Sequence, residues 1–244
     1  MRYLKPIIFT LSLLLFSAMK AQDRQVLVFY KTEGFIHNSI PAGLQAIEGL
    51  GKGNNFKVKH TNKGEDFTKE ALRSLDLVIF LNTTGDVLNK EQQESFEQYI
   101  HSGGSFFGIH SAAETEYDWE WYGRLVGAYF KDHPKVQPAT IEVVQPNHPS
   151  VAHLPLAWNR ADEWYNYKMI NPEIRILLNL REDSYEGGNM GLNHPIAWYR
   201  ELDGGGISVY TGGGHEITSY EEPLFVEHLL QCILFALNAG DRKK

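Results

Sequence analysis

The stretch Gly103-Gly104-Ser105-Phe106-Phe107-Gly108-Ile109-His110-Ser111-Ala112 decides how this chain folds. Its centre is a short apolar run typical of a strand buried on both faces, and a pair of glycines precedes it. A third glycine stands two residues before His110 and small residues follow, so the backbone is able to turn sharply there. The pattern predicts a strand that ends by placing His110 in a tight turn at the edge of a sheet.

Strands and helices alternate on the N-terminal side of this stretch. Buried strands and helices are predicted in turn over residues 25–30, from Ser39, and over residues 56–60, 68–74, 75–81 and 89–103. Gln92 stands three residues after Asn89, which is the spacing of a capping box. Loops rather than hairpins join these elements. The sequence therefore predicts an α/β fold with a doubly wound, mostly parallel sheet, helices on both faces and right-handed crossovers.

The C-terminal half contains a second strand that ends in glycines and a histidine. A helix is predicted over residues 121–129, and further strands are predicted over residues 140–144, 174–180, 195–199 and 206–210. The last strand continues into Thr211-Gly212-Gly213-Gly214-His215. A final helix should open with Ser219 and Glu222 as a capping box and contain the single cysteine, Cys232, as a buried structural thiol.

Residues 1–21 have the features of a secretory signal peptide. A basic start precedes the almost wholly apolar residues 7–16, and small residues precede a cut near Ala21/Gln22. The apolar run is shorter than the roughly 20 residues that a bilayer-spanning helix needs. We therefore expect a periplasmic or secreted protein with one domain over residues 22–244 and no integral membrane segment after cleavage.

The net charge limits the partners of the mature chain. Cleavage would remove three basic residues and no acidic one, which changes the formal charge at pH 7 from −7 to −10. An acidic protein is poorly suited to bind nucleic acid or an anionic membrane surface. A small polar molecule such as a carbohydrate fits this charge better, and the oligomeric state stays open.

Polar loops follow several predicted strands at one edge of the sheet. In doubly wound sheets the site forms outside the carboxyl ends of the strands, so the loops at residues 32–38, 82–86 and 110–115 should meet. His110 and His215 are each placed there by the end of a strand. Imidazoles titrate near neutral pH, so these two histidines are the predicted acid/base pair.

Glu163 completes the predicted catalytic set. It should orient one of the histidines or bind a sugar hydroxyl, with a surface salt bridge as the alternative. The predicted substrate contacts are five polar loop or pocket residues and one indole: His37, Asn82, Thr83, Asp86, His133 and Trp164. Capping or loop formation is the alternative for the polar residues. Core packing is the alternative for Trp164, whose face would otherwise stack on a sugar ring.

Some of these side chains are also ligand types for zinc or another divalent ion, namely those of His110, His133, Glu163 and His215. No closely spaced motif such as His-Glu-x-x-His supports a metal site. No cofactor is therefore predicted, and a divalent metal ion stays an alternative.

From about Gln25 to Leu237 the chain resembles the ThuA-like (trehalose utilisation) family, a branch of the class I glutamine-amidotransferase-like superfamily. The resemblance rests on several segments taken together: Gly34-Phe35-Ile36-His37-Asn38-Ser39-Ile40-Pro41, Leu81-Asn82-Thr83-Thr84-Gly85-Asp86, Gly103 to Ala112, His148-Pro149, Asp162-Glu163, Pro195-Ile196-Ala197-Trp198-Tyr199 and Gly213-Gly214-His215. It implies a flavodoxin-like sheet in which His110 stands where true amidotransferases have a cysteine nucleophile. Glutamine hydrolysis by a thiol is therefore not expected.

The resemblance implies a role in carbohydrate metabolism, alongside the use of trehalose or keto-disaccharides. Acid/base chemistry on a sugar is the function that we predict, although whether the protein is an enzyme stays open. One alternative is a non-catalytic carbohydrate-binding protein. The other is a metal-dependent hydrolase that processes glycosides.

Overall fold

The computed structural model describes residues 24–239, which form a nine-stranded sheet, a two-stranded sheet and five α-helices. The strands are β1 (Arg24–Phe29), β2 (Phe56–Thr61), β3 (Leu77–Leu81), β4 (Ser105–Ile109), β5 (Tyr129–Asp132), β6 (Gln137–Val143), β7 (Ala157–Asp162), β8 (Asn166–Lys168), β9 (Arg175–Leu180), β10 (Pro195–Glu201) and β11 (Ile207–Thr211). The helices are α1 (Ile40–Gly53), α2 (Lys69–Leu72), α3 (Lys90–His101), α4 (Glu120–Val126) and α5 (Pro223–Leu237).

Five neighbouring strands form the parallel half of the large sheet, in the order β2-β1-β3-β4-β11. The strands β3, β4 and β11 are buried along their whole length, as their apolar sequences predict. In β4, Gly108 pairs with Phe80 of β3 on one side and with Tyr210 of β11 on the other. The strand β4 therefore places His110 next to the end of β11.

The other half of the sheet continues from β11 as β10-β9-β6-β7, and each of these strands is antiparallel to its neighbour. Because only β10 and β6 run against β4, seven of the nine strands share one direction. The predicted α/β fold with a mostly parallel sheet is confirmed. Since β7 is one of the seven, it points its carboxyl end the same way as β4 and β11.

Helices cover both faces of the parallel half. On one face α1 contacts α5, and Ser105 of β4 donates a hydrogen bond to the carbonyl oxygen of Ala236 in α5 at 3.0 Å. On the other face the rings of Phe96 in α3 and Tyr122 in α4 pack on Phe80, at centroid distances of 5.5 and 5.6 Å. Alternate strand positions thus face two different helical layers.

The antiparallel half of the sheet curves back toward the parallel half. In a flat sheet with strands about 4.8 Å apart, β7 would lie roughly 19 Å from β11, four strands away. Nevertheless Asp162 at the end of β7 accepts a hydrogen bond from the amide of Gly214, just beyond β11, at 2.8 Å. The curvature therefore brings the far edge of the sheet to the ends of β4 and β11.

The predicted capping box of the last helix is wrong. Ser219 lies in a short 3₁₀ helix (Ile217–Glu221) and donates to Asp162 at 3.0 Å, while Glu222, the residue before α5, makes no side-chain cap. The Glu222 carboxylate accepts hydrogen bonds from Trp158 and Arg160 at 2.9 and 2.7 Å. A buried guanidinium needs paired acceptors, and this requirement outweighs a local cap.

Two other local predictions have different outcomes. The capping box of Asn89 and Gln92 at the start of α3 is confirmed in both directions. The helix predicted over residues 121–129 ends earlier, at Val126, because Gly127 adopts a left-handed φ of +97° and Tyr129 begins β5.

The predicted signal peptide lies outside the described residues. Within residues 24–239, none of the helices is both long enough and apolar enough to cross a bilayer.

Candidate functional site

His110 lies at the turn between β4 and a short 3₁₀ helix (His110–Glu114). Its φ of +50° is in the left-handed region, which residues other than glycine adopt rarely and often at functional sites. The imidazole is fully buried, and its Nδ1 is 2.9 Å from the carbonyl oxygen of Gly212. Because a carbonyl oxygen only accepts, Nδ1 donates a proton to it and Nε2 is the atom left for the site.

Asp162 holds the end of β7 beside the end of β11. Its buried carboxylate accepts hydrogen bonds from the amides of Gly214 and His215 at 2.8 and 3.1 Å, and from Arg160 at 2.7 Å. Burial acts to raise the pKa of Asp162, but the charge of Arg160 and these hydrogen bonds outweigh it, so the pKa is lowered. The ionised Asp162 thereby places the next residue, Glu163, against the histidines.

Glu163 is the carboxylate that joins the histidines. Its Oε2 is 3.5 Å from Nε2 of His110 and 3.2 Å from Nδ1 of His215, and its Oε1 is 3.1 Å from Nδ1 of His133. Burial acts to raise the pKa of Glu163, but His110 and His215 outweigh it and hold the pKa well below its usual range. Glu163 is therefore ionised over the whole range of physiological pH.

His37, between β1 and α1, completes the group. Its ring centroid is 4.9 Å from that of His110 and 5.1 Å from that of His215. Burial, together with the charges of these two imidazoles, lowers the pKa of His37 to about 3, so its ring is neutral. The side chains of His37, His110, Glu163 and His215 form what we call the histidine–carboxylate cluster.

His215 differs from the other two histidines of the cluster. Burial acts to lower its pKa, but the carboxylates of Glu163, Asp162 and Glu216 together raise the pKa above its usual value. Its side chain is also 20 % exposed, whereas that of His110 is not exposed at all. The cluster thus combines an ionised carboxylate, a neutral imidazole and an imidazole that holds a proton more readily, which is a set able to transfer protons.

The three loops that were predicted to meet do so. Thr32 forms a β-bridge with Thr84, and Gly85 forms one with Thr115. The hydroxyl of Ser111, which follows His110, lies 3.4 Å from Nδ1 of His37. The loops after β1, β3 and β4 are therefore joined to one another beneath the cluster.

Two of the predicted substrate contacts support these loops from below. Asn82 is fully buried and donates hydrogen bonds to the hydroxyl of Ser39 and the carbonyl oxygen of Gly214 at 3.0 and 3.1 Å. The buried hydroxyl of Thr83 is 2.8 Å from that of Thr115. Both side chains are therefore directed at the protein and not at the open side of the cluster.

Asp86 and Trp164 also lie apart from the cluster. Asp86 is exposed and lines a separate cavity together with Lys31 and Glu65. Trp164 is fully buried, and its indole N–H donates to the carbonyl oxygen of Gln137 at 2.8 Å. The predicted sugar-stacking role of Trp164 is wrong for this arrangement, because core contacts cover its ring. His133, by contrast, borders Glu163 with its side chain 41 % exposed.

The sequence prediction missed Phe35 and Glu114. The ring of Phe35 is 61 % exposed, lies 4.8 Å from that of His37 and is nearly parallel to that of His215 at 6.5 Å. Glu114 ends the short helix that begins at His110, and burial raises its pKa. Their positions, two residues before one histidine and four after another, were the signals that could have identified them.

The cluster also has the composition of a metal site. Among the described residues, His37, His110, Glu163 and His215 offer four ligand atoms that lie within 4.8 Å of one another. Three imidazoles and a carboxylate are ligands that zinc and related ions accept. The group includes His37 and does not include His133.

The fold and the site together define a class of protein. They describe an amidotransferase-like α/β protein in which a histidine occupies the strand-to-helix turn, while Cys232 is buried in α5 beside His228 at 3.8 Å. The family model described as trehalose utilisation matches residues 25–236. The chain belongs to this family, ThuA.

Solved structures show the same fold. A protein described as ThuA-like from Bacteroides uniformis is 23% identical, with 88% of this chain and 91% of that chain covered and a TM-score of 0.73. Another, from Parabacteroides merdae, is 19% identical, with 88% and 90% covered and a TM-score of 0.71. A GMP synthase component from Thermoplasma acidophilum is 11% identical, with 91% and 98% covered and a TM-score of 0.54. No curated protein sequence matches this chain.

Proposed function

We propose that the protein is an exported enzyme of carbohydrate metabolism that carries out acid/base chemistry on a sugar at the histidine–carboxylate cluster. The observation that carries the proposal is the convergence of His110 and His215 on one oxygen of Glu163, at 3.5 and 3.2 Å. Imidazoles held by a carboxylate are able to take a proton from a sugar carbon or hydroxyl and to return it. Membership of the trehalose-utilisation family supports a disaccharide of the trehalose type, or its keto derivative, as the substrate.

The three groups have different roles in this proposal. Glu163 stays ionised and orients both imidazoles. His110 is fixed by the carbonyl oxygen of Gly212, so that its Nε2 faces Glu163. His215 exchanges the proton with the substrate, because it is the most exposed of the four side chains and its pKa is raised.

The rim of the cluster supplies contacts for a sugar. The exposed ring of Phe35 offers an apolar face for the C–H face of a pyranose, as aromatic rings commonly do in such sites. His133 and Glu114 lie near Glu163 and offer polar groups for hydroxyls. The ring that stacks on the sugar is therefore that of Phe35 and not that of Trp164.

The test is product analysis by mass spectrometry after incubation of the protein with trehalose, related disaccharides and their 3-keto derivatives. His110→Asn is the first variant, because asparagine tolerates a positive φ, and Glu163→Gln is the second. Both should lower turnover by about 100-fold or more, the usual contribution of a positioned acid or base. His101→Asn makes the first exchange at an exposed position and should leave turnover unchanged.

Two results would reject the proposal. Full turnover in a folded His110→Asn variant would remove the cluster from the chemistry. Saturable binding of a sugar that is always returned unchanged would instead support the non-catalytic carbohydrate-binding protein.

Export is tested separately. When the full chain is expressed in a Gram-negative host, we expect it in the periplasm, with Gln22 as the first residue in N-terminal sequencing. An uncleaved chain that stays in the cytoplasm would reject this part of the proposal.

A further inference from the structure

We propose that the histidine–carboxylate cluster binds one divalent transition-metal ion of the zinc type, with His37, His110, Glu163 and His215 as its ligands. This inference deepens the proposed function, on which it rests only in placing both at the same side chains. Binding of the ion does not require turnover, so each proposal is able to fail alone.

The distances between the ligand atoms suit such an ion. Bonds of about 2.1 Å in a tetrahedral zinc site place neighbouring ligand atoms roughly 3.4 Å apart. Nε2 of His110 and Nδ1 of His215 lie 3.5 and 3.2 Å from Oε2 of Glu163. All four ligand atoms lie within 4.8 Å of one another, so small side-chain movements suffice to complete the site.

Two ring nitrogens of the cluster lack a hydrogen-bond partner. Nε2 of His110 and Nδ1 of His215 are buried, and neither makes a hydrogen bond of acceptable geometry among the described residues, although Glu163 is close to both. A buried polar atom without a partner costs about 1–3 kcal/mol, so native proteins rarely leave two together. An ion between these nitrogens and Glu163 satisfies both.

The residues behind the cluster orient it as the outer residues of metal sites do. The carbonyl oxygen of Gly212 accepts from Nδ1 of His110 at 2.9 Å, which leaves Nε2 as the nitrogen that binds metal. The carboxylate of Asp162 accepts from the amides of Glu163 and His215 at 2.9 and 3.1 Å, which fixes the backbone of two ligands. Two of the four ligands therefore have their backbone held by one buried group.

The ligand types select the class of ion. Three imidazole nitrogens and one carboxylate suit zinc and its first-row neighbours, whereas calcium and magnesium require mainly oxygen ligands. A bound ion would act as a Lewis acid toward a sugar hydroxyl or carbonyl. His133 and Glu114, which border Glu163 outside the ligand set, would then be the groups that move protons.

The experiment measures metal binding directly. The purified protein is dialysed against a chelator and titrated with Zn²⁺ by calorimetry, and then with Co²⁺ while the visible absorption of the ion is recorded. We expect one equivalent of either ion per chain and a cobalt spectrum typical of nitrogen and oxygen ligands. His37→Gln and His215→Gln should each weaken Zn²⁺ binding by about 100-fold or more, since even outer-shell changes cost 10–100-fold. His101→Gln, an exposed exchange of the same kind, should bind as the wild type does.

The outcomes separate this inference from the proposed function. Absence of stoichiometric binding in the wild type, or equal binding in folded His215→Gln and Glu163→Gln variants, overturns the metal site, even if the metal-free protein converts sugar at full rate. Stoichiometric binding that the ligand variants abolish supports the site, even if no sugar is converted.

Discussion

At the scale of single residues, Asp162 determines whether the site is assembled. It is fully buried and accepts hydrogen bonds from the amides of Glu163, Gly214 and His215. It also neutralises Arg160, whose side chain is 4 % exposed. Removing one partner of a buried ion pair leaves a charge that neither water nor protein compensates.

We therefore expect Asp162→Asn to lower the free energy of unfolding by about 3 kcal/mol or more, measured by urea denaturation at pH 7.5. Asp183→Asn is the matched control, because Asp183 also pairs with an arginine, Arg181 at 2.8 Å, but with its side chain 69 % exposed. The control should cost less than about 1 kcal/mol. Equal effects of the two variants would show that the buried pair does not hold β7 in place.

Phe35 is the residue whose role in binding depends on its exposed ring. We expect Phe35→Ala to raise the KM for the sugar about 5- to 10-fold with little change in kcat, since one aromatic contact is worth roughly 1 kcal/mol. Phe35→Tyr retains the flat face and should retain the wild-type KM. Steady-state kinetics on the substrate found by product analysis check this, and an unchanged KM in Phe35→Ala would exclude stacking.

At the scale of elements, the local capping rule succeeds at an exposed helix start and fails at buried ones. Asn89 and Gln92 lie at the surface and cap α3. Ser39 and Ser219 are buried, and they bond to the carbonyl oxygen of Gly214 and to Asp162. A spacing rule describes only the local alternatives of a hydroxyl, so it cannot anticipate a tertiary partner more than 50 residues away.

The cap of α3 gives a prediction at this scale. Asn89→Ala should lower the free energy of unfolding by about 1 kcal/mol, because one amide of the first turn and the reciprocal bond of Gln92 lose their partner. Asn38→Ala makes the same exchange beside the start of α1, where the exposed side chain caps nothing, and should change stability by less than about 0.5 kcal/mol. Urea denaturation of both variants measures the difference, and two equal values would contradict the cap.

At the scale of the whole molecule, the sequence predicts those parts of the site that depend on local pattern. The glycine-rich strand ends identify His110 and His215, and the parallel half of the sheet follows from its buried apolar runs. The contact of Glu163 with both histidines depends on the curvature that brings β7 to β11, which no spacing along the chain encodes. For the same reason Trp164 was misplaced.

His228 of α5 connects the two halves of the sheet. Its Nδ1 is 3.0 Å from the carbonyl oxygen of Ser150, in the segment between β6 and β7, and its Nε2 is 3.2 Å from the hydroxyl of Thr211 at the end of β11. Burial lowers the pKa of His228 to about 4, with the charges of His153 and Arg160 adding to the effect and the Ser150 bond opposing it. The folded protein therefore keeps this ring neutral.

The sign of the pH dependence follows from this lowered pKa. The unfolded chain binds a proton at His228 below pH about 6.5, whereas the folded chain does so only below about 4. The stabilisation is complete above the unfolded value and is lost as the pH falls through this window, by about 1.4 kcal/mol per unit. His228→Gln cannot titrate, so the advantage of the wild type over it should shrink by about 2 kcal/mol between pH 7.5 and 5.0 in urea denaturation. His101→Gln controls for the loss of an exposed histidine, and a constant advantage at both pH values would show that His228 is not held neutral.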